Sequence, residues 1–235
     1  MTVDLSVVIP CYNETAKIER DVDAALSYFR TQQYSFELVL VDDGSSDGTA
    51  ALLQTLESRH APQVRALCYR PNRGKGRAVK TGMLQAAGNR RLFADAGLCV
   101  PFSETEQALR LIGTGSDVVI GSRKLAASRV VEQQAPYRRL GSKVFGWLVR
   151  NAMGLRHSDT QCGFKMFTAA AAERLFGMSR IDGFMFDAET LINARKLGYT
   201  VREFPVEWRA DPDSRYRPFS GSIRNLIELL RIRFQ

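Results

Sequence analysis

Short apolar runs alternate with longer polar stretches through the first half of the chain. Leu5–Pro10, Phe36–Val41, Val64–Tyr69 and a run starting at Arg91–Ala94 are four of them, and a fifth ends over Val118–Gly121. Apolar runs of this length, bounded by polar or turn-forming residues, predict strands buried on both faces. Between them, Glu14–Arg30 is polar and helix-compatible, Asp47 is placed to cap a helix through Leu56, and Lys75–Ala87 predicts a third helix. Strand and helix in alternation predict an α/β fold with a mainly parallel central sheet flanked by helices.

The second half is less regular. Leu140–Met153 predicts a helix with Val144, Phe145, Leu148, Val149 and Met153 on its apolar face, and Asp187–Leu197 predicts another, ended by Gly198. Thr200–Trp208 alternates and predicts a strand. Ser222–Phe234 predicts a short amphipathic helix, with Ile223, Leu226, Ile227 and Leu230 on one side and Arg224 and Arg231 elsewhere. No repeat, low-complexity tract or linker divides the chain. One domain over residues 1–210 with a basic amphipathic extension over 211–235 is the expected organisation.

Composition narrows the class. A chain of 235 residues with 45% hydrophobic and 25% charged residues suits one large soluble domain, not a disordered, collagenous or disulfide-stapled chain. No stretch approaches the ~20 apolar residues of a membrane span. The N-terminus, with Asp4 early and no basic run, does not read as a signal peptide. Lys and Arg number 33 against 25 Asp and Glu, a net charge of +8 that either serves solubility alone or suits an anionic partner: nucleic acid, anionic lipid or a phosphorylated substrate. The arginines concentrate over 123–156 and 202–233, whereas most motif carboxylates precede residue 100. An acidic site in the first half and a basic surface in the second follow from that asymmetry. Cys11, Cys68, Cys99 and Cys162 form no CxxC pair, and only two His are present, so a zinc site is not expected. Four scattered thiols fit packing roles in a reducing cytosol.

In parallel sheets, ligands sit beyond the C-terminal strand ends. Three polar clusters are expected there: Pro10–Glu14, Val41–Thr49, and Phe93–Gly97. Carboxylates at strand ends are costly to desolvate unless they bind something. A base, a ribose or a metal ion would each suit three such clusters converging on one sheet edge. Asn72–Arg77 contains a lone GxG, whereas a dinucleotide fingerprint belongs after the first strand, where Pro10-Cys11-Tyr12 stands instead. No GxxxxGK[ST] is present, which excludes a P-loop. Asp42-Asp43 would suit a phospho-acceptor receiver, but the chain is far longer than that unit needs.

The segments VVIPCYNE (7–14), VDDGSSDGT (41–49), NRGKGRAVKTGM (72–83) and FADAG (93–97) resemble the family-2 glycosyltransferases of the GT-A fold. DVVIGSR (117–123), RRLGSK (138–143), DTQCGFKMF (159–167) and FDAETL (186–191) resemble the polyprenyl-phosphate hexosyltransferase branch. Within it the pattern is most similar to the dolichyl-phosphate glucosyltransferases, with the mannose synthases next. The resemblance covers nearly the whole chain.

It implies an inverting transfer of a hexose from a nucleotide sugar to a polyprenyl phosphate. DTQCGFK favours UDP-glucose over a GDP-mannose donor. Pro10, Tyr12 and Glu14 match positions holding base and ribose, Asp42 or Asp43 the carboxylate on the base, and Lys75 a loop position near the diphosphate. Asp95 matches the first acid of the DxD motif that binds a divalent cation, Mg²⁺ or Mn²⁺. Arg123, Arg138 and Ser142 match positions cradling the acceptor phosphate, while Asp159, Gln161, Asp187 and Glu189 line the sugar and acceptor pocket. Asp95, Asp187 and Gln161 are thus the catalytic candidates. A phosphate acceptor is already ionised and needs charge neutralisation rather than a strong base. A hydroxyl acceptor would need a base, and Asp187 is the candidate. The basic second half is then expected to face phosphate and an anionic membrane surface or a membrane-protein partner, at the cytoplasmic face, with no nucleic acid. The C-terminal helix fits either packing on the domain or binding to anionic lipid.

One departure stands out. Gly97 replaces the second DxD acid, and Cys99 occupies the position where the family often has Gln. Glycine has no ligand atom, so a weakened or unusual metal site is expected, and a non-catalytic nucleotide-sugar-binding role becomes an alternative.

Overall fold

The computed structural model describes residues 3–131, 154, 155, 157–211, 225 and 227–232. Seven strands form the central sheet: β1 (Leu5–Cys11), β2 (Phe36–Asp43), β3 (Val64–Tyr69), β4 (Arg90–Ala94), β5 (Val118–Ser122), β7 (Phe164–Thr168) and β8 (Val201–Pro205), in spatial order β3-β2-β1-β4-β7-β5-β8. β6 (Arg129–Val130) and β9 (Glu207–Trp208) form a separate parallel pair. All neighbours in the main sheet are parallel except β7, which lies antiparallel between β4 and β5. The expected α/β class with a mainly parallel sheet is what forms.

The apolar strands are buried on both faces because helices cover both. Leu5, Val7, Ile9, Leu38 and Leu40 point to the face covered by α1 (Ile18–Phe29), α2 (Thr49–His60) and α4 (Thr105–Gly113). Val8, Val39 and Val41 point to the opposite face, covered by α3 (Lys75–Gln85), α5 (Ala169–Met178) and α6 (Phe186–Lys196). Alternate residues of one strand thus enter two cores.

Four expectations change. Helix α1 starts at Ile18 rather than Glu14, because Glu14 O accepts the N–H groups of Lys17 and Ile18 in a turn while Glu14 N–H donates to Thr49 Oγ1. β7 and α5 are additions to the expected elements; Lys165 interrupts the apolar run of FKMFT and masks the strand. The alternating 200–208 segment splits at Val206, since Pro205 has no N–H to continue the ladder. The C-terminal helix turns a different face inward. Asn225, Glu228, Leu229 and Ile232 are buried, while Ile227 and Leu230 are 47% and 49% exposed. Two polar residues on the inward face, one of them (Glu228) accepting the Met185 N–H at 3.1 Å, misdirect a reading by hydrophobicity. The helix expected over 140–153 lies outside the described residues. Among the described residues, no helix is long and apolar enough to cross a membrane.

Candidate active site

β1 and β4 are neighbours, yet the chain leaves them in opposite directions along the sheet, β1 towards β2 and β4 towards β5 beyond β7. That switch point opens a crevice at the C-terminal strand ends. Pro10 lies near the end of β1, in register with Val41. Tyr12 is 39% exposed just beyond it. Asn13 adopts a left-handed φ of 56° and ties this loop to the next: its N–H donates to Ser45 Oγ at 2.8 Å, and its Oδ1 accepts the Ser46 N–H at 2.9 Å. The N-cap of α2 is Gly48 rather than the expected Asp47, which stands one residue before it; Asp47 Oδ1 accepts the Thr49 N–H at 3.0 Å, and its other oxygen bonds Thr15. The Glu14 carboxylate is buried against Lys17 at 3.0 Å.

The two acids after β2 divide their work. Asp43 accepts from Tyr69 Oη, Asn72 Nδ2, Arg73 N and Gly74 N at 2.7–2.9 Å. That carboxylate is spent on shaping the 70–74 turn, which delivers Lys75. Asp42 is buried and, among the described residues, accepts only long bonds from Ser45 N, at 3.2 and 3.3 Å. Of the pair, Asp42 has the lone pairs left for a base.

Lys75 opens α3 and pairs with Asp95 Oδ1 at 2.6 Å. The flanking glycines explain the GxG. A Cβ on Gly74 would lie 2.5 Å from Asp182 O, and one on Gly76 2.6 Å from Ile181 O. They permit α3 to press on the 181–183 turn and do not cradle a dinucleotide. Burial alone would lower the Lys75 pKa, but Asp95 and then Asp187 outweigh it and raise it. Lys75 therefore presents a full positive charge in the crevice.

Asp95 follows β4, and its N–H donates to Gly163 O at 2.9 Å. Its carboxylate rests on the bare Cα of Gly163: a Cβ there would stand 1.9 Å from Oδ2. Oδ1 is shut off from solvent and, among the described residues, meets no polar partner besides the Lys75 ammonium. An oxygen with unused lone pairs, on a fixed carboxylate, fits a divalent cation. Two ammonium groups approach the Phe93 ring, Lys75 at 5.3 Å and Lys165 at 5.8 Å from its centroid. Lys165 is buried, donates to Cys162 O at 2.6 Å and pairs with Asp187 at 2.5 Å. Burial raises the Asp187 carboxyl above its ordinary 3.8 despite the lowering effect of Lys165 and Lys75.

Arg123, just past β5, grips Asp159 with two guanidinium contacts, Nε at 2.6 Å and Nη2 at 2.8 Å, and stacks over Trp208 at 5.2 Å. Glu203 of β8 steadies this pair through the Ser158 and Asp159 N–H groups at 2.9 and 3.0 Å. Burial would raise the Asp159 carboxyl, but the bonds and charge of Arg123 hold it at about 2 against the ordinary 3.8. The folded state therefore binds this proton less readily than the unfolded state. The resulting stability, on the order of 2 kcal/mol, is present above pH ~4 and lost as pH falls towards about 2. Urea unfolding from pH 7 to pH 2 should show that loss in the native chain. An Arg123→Gln variant should be weaker at pH 7 and flatter in acid; an unchanged acid slope would detach it from this pair.

The remaining candidates separate. Gln161 is half-buried, its amide 4.0 Å from Met185 Sδ. Glu189, expected in the sugar and acceptor pocket, is tied into a turn. It is buried, and its oxygens accept from Ser179 Oγ, Arg180 N and Ile181 N at 2.5–3.1 Å, holding the turn before α6. Arg138 and Ser142 lie outside the described residues. Sequence reasoning missed Lys17, Lys165 and Asp211. The i, i+3 spacing of Glu14 and Lys17 and a lysine inside the apolar FKMF were the available signals; Asp211 left none. Burial pushes the Cys99 and Cys162 thiols up to about 12, which disfavours the thiolate form at both.

Comparison with known proteins places these motifs. The sequence model of "Glycosyl transferase family 2" matches residues 6–176. The chain is 34% identical to a dolichyl-phosphate beta-glucosyltransferase of Dictyostelium discoideum, over 98% of this chain and 74% of that one. The Saccharomyces cerevisiae protein of the same name is 35% identical (97% and 74% covered). The Homo sapiens one is 32% identical (100% and 76% covered). Among solved structures, glucosyl-3-phosphoglycerate synthase from Mycobacterium tuberculosis in complex with UDP superposes with a TM-score of 0.69 at 21% identity, over 99% of this chain and 80% of that one. The same enzyme with Mn²⁺, UDP-glucose and phosphoglyceric acid gives 0.68 at 20% identity, with the same coverage. The fold is that of the GT-A glycosyltransferases.

Proposed function

This chain belongs to glycosyl transferase family 2 and is a glycosyltransferase, and from that premise we propose that it moves glucose from UDP-glucose to a polyprenyl phosphate. The observation that carries the reading is the Lys75–Asp95 pair, set on Gly163 at the switch point of the sheet. Relatives of 32–35% identity across nearly the whole chain supply the hexose and the lipid carrier.

A phosphate oxygen of the acceptor forms a bond to the anomeric carbon while the bond from that carbon to the diphosphate oxygen breaks, inverting the centre. UDP departs with the electron pair. A divalent cation, held by Asp95, supplies charge neutralisation on that diphosphate when bound. Lys75 adds a fixed positive charge at the same place. Asp42 and Tyr12 hold the uracil and ribose end. Arg123, oriented by Asp159, presents its remaining N–H groups to the acceptor phosphate, together with Arg138 and Ser142. Asp187 stays paired with Lys165 and is not required as a base, because the acceptor arrives ionised. The chain meets its lipid peripherally, at the cytoplasmic membrane face or through a membrane partner.

A thermal-shift panel of UDP, GDP and their hexose conjugates with Mn²⁺, Mg²⁺ or EDTA tests the donor. Ligand at ~100 times its Kd stabilises by about 2.7 kcal/mol, a shift on the order of 5–10 °C for a domain of this size. UDP-glucose with metal should give the largest shift. A panel in which no nucleotide moves the transition would leave a protein that does not turn over a nucleotide sugar. For the acceptor, Arg138→Ala should sharply reduce transfer to polyprenyl phosphate; undiminished transfer would favour a hydroxyl acceptor.

A further inference from the structure

Gly97 stands where the family pattern has its second acid, but the space beside it is filled. A Cβ built on Gly97 would lie 3.0 Å from both Cγ and Oδ2 of Asp211. The Asp211 carboxylate thus occupies the volume into which a side chain at 97 would project. The backbone places it there: Arg209 N–H donates to Cys99 O at 2.9 Å, fastening the segment after β9 to the loop after β4. Gly97 has a left-handed φ of +98°, and its N–H donates to Asp21 Oδ2 at 2.5 Å. An aspartate at 97 would meet both that strained backbone and the Asp211 carboxylate.

Two lysines balance these acids. Lys17 bridges Asp211 and Glu14, as Lys75 holds Asp95. Lys17 and Lys75 thus each hold a carboxylate at this place. Cys99 sits among them: burial first, then the charges of Asp95 and Asp211, push its thiol up to about 12.

We propose that Asp211 is the second protein carboxylate of the divalent-cation site, acting with Asp95, and that Lys17 is its counter-ion when no cation is bound. This rests on the transferase reading and replaces the expectation of a site one acid short. Hard carboxylate oxygens suit Mg²⁺ or Mn²⁺, which bind through one or two carboxylates with substrate phosphates and water. Among the described residues, no three His, Cys, Asp or Glu side chains converge as a self-sufficient metal site. Cation and nucleotide diphosphate should therefore bind together.

Mn²⁺ binding, read from the loss of the free-ion EPR signal with and without UDP, tests this beside UDP binding in EDTA. The unaltered chain should take up Mn²⁺ in a UDP-dependent way. Asp211→Asn keeps the side-chain size and removes the charge; it should weaken Mn²⁺ about tenfold or more and leave UDP binding in EDTA unchanged. Unchanged Mn²⁺ affinity in that variant overturns the proposal and leaves Asp211 a structural residue beside Lys17. If Asp211→Asn does not fold, Fe²⁺ with ascorbate and peroxide on the unaltered chain decides. Backbone cleavage near both 97 and 211 supports the proposal, and cleavage near 97 alone overturns it. Normal UDP binding without Mn²⁺ uptake overturns the cation site and leaves the transferase reading standing. No UDP binding in any condition overturns both.

Discussion

Gly163→Ala is expected to lower kcat/KM for sugar transfer by on the order of 10²–10³-fold in a protein that still folds. The added methyl would stand 1.9 Å from Oδ2, 2.1 Å from Cγ and 2.7 Å from Oδ1 of Asp95. No rotamer of so short a side chain clears that overlap while keeping Oδ1 on the Lys75 ammonium at 2.6 Å. The main chain cannot easily retreat, because Asp95 N–H donates to Gly163 O at 2.9 Å and links the two loops. The carboxylate must therefore swing away, taking the cation ligand and the partner of Lys75 out of position. Stability should change little, since Asp95 and Lys75 are partly exposed at the crevice and such pairs contribute little. Steady-state kinetics beside a melting curve separates the two effects. A folded Gly163→Ala protein with native turnover would remove Asp95 from the chemistry.

Lys165→Met should have the largest effect on stability, about 3–5 kcal/mol, or on the order of 10 °C in Tm. Methionine keeps the apolar stem of Lys165 but leaves Asp187 buried without its counter-charge. The loss should depend on pH in a defined direction. The Asp187 carboxyl already lies above 3.8 in the folded chain, from burial first, and removing Lys165 raises it further. The folded state then holds a proton that the unfolded state releases, so this contribution is present below pH 3.8 and is lost as pH rises. Lys165→Met should therefore be least damaging in acid and most damaging at neutral pH. Pairing it with Asp187→Asn should recover much of the loss, because the stranded charge is gone. Thermal melts of the two single variants and the double variant across pH measure both effects. A double variant as unstable as Lys165→Met alone would mean that packing, not the stranded charge, sets the cost.

The resemblance in eight short segments and the architecture of the first half were legible because both are local properties. Apolar runs such as Leu5–Pro10 mark buried strands, and Asp95 belongs to a contiguous FADAG segment at a strand end. Family membership and fold class follow from such stretches, which also supply Lys75, Asp95 and Arg123 as candidates. Local pattern failed where a residue's role is set by what it meets across the fold. Glu189 and Asp43 looked like ligand acids, yet their oxygens are consumed by backbone N–H groups of the 179–181 and 73–74 turns. Gly163 is unremarkable in sequence, and only the packing of β7's approach against the loop after β4 makes it the seat of Asp95. Gly97 read as a missing acid, and only the chain's return after β9 brings a carboxylate back to that place through Asp211. Periodicity and contiguous motifs arise from the repeat of the backbone, which every residue reports about its neighbours. Steric fit and ion pairing between distant segments have no period, so they exist only once the sheet has brought those segments together.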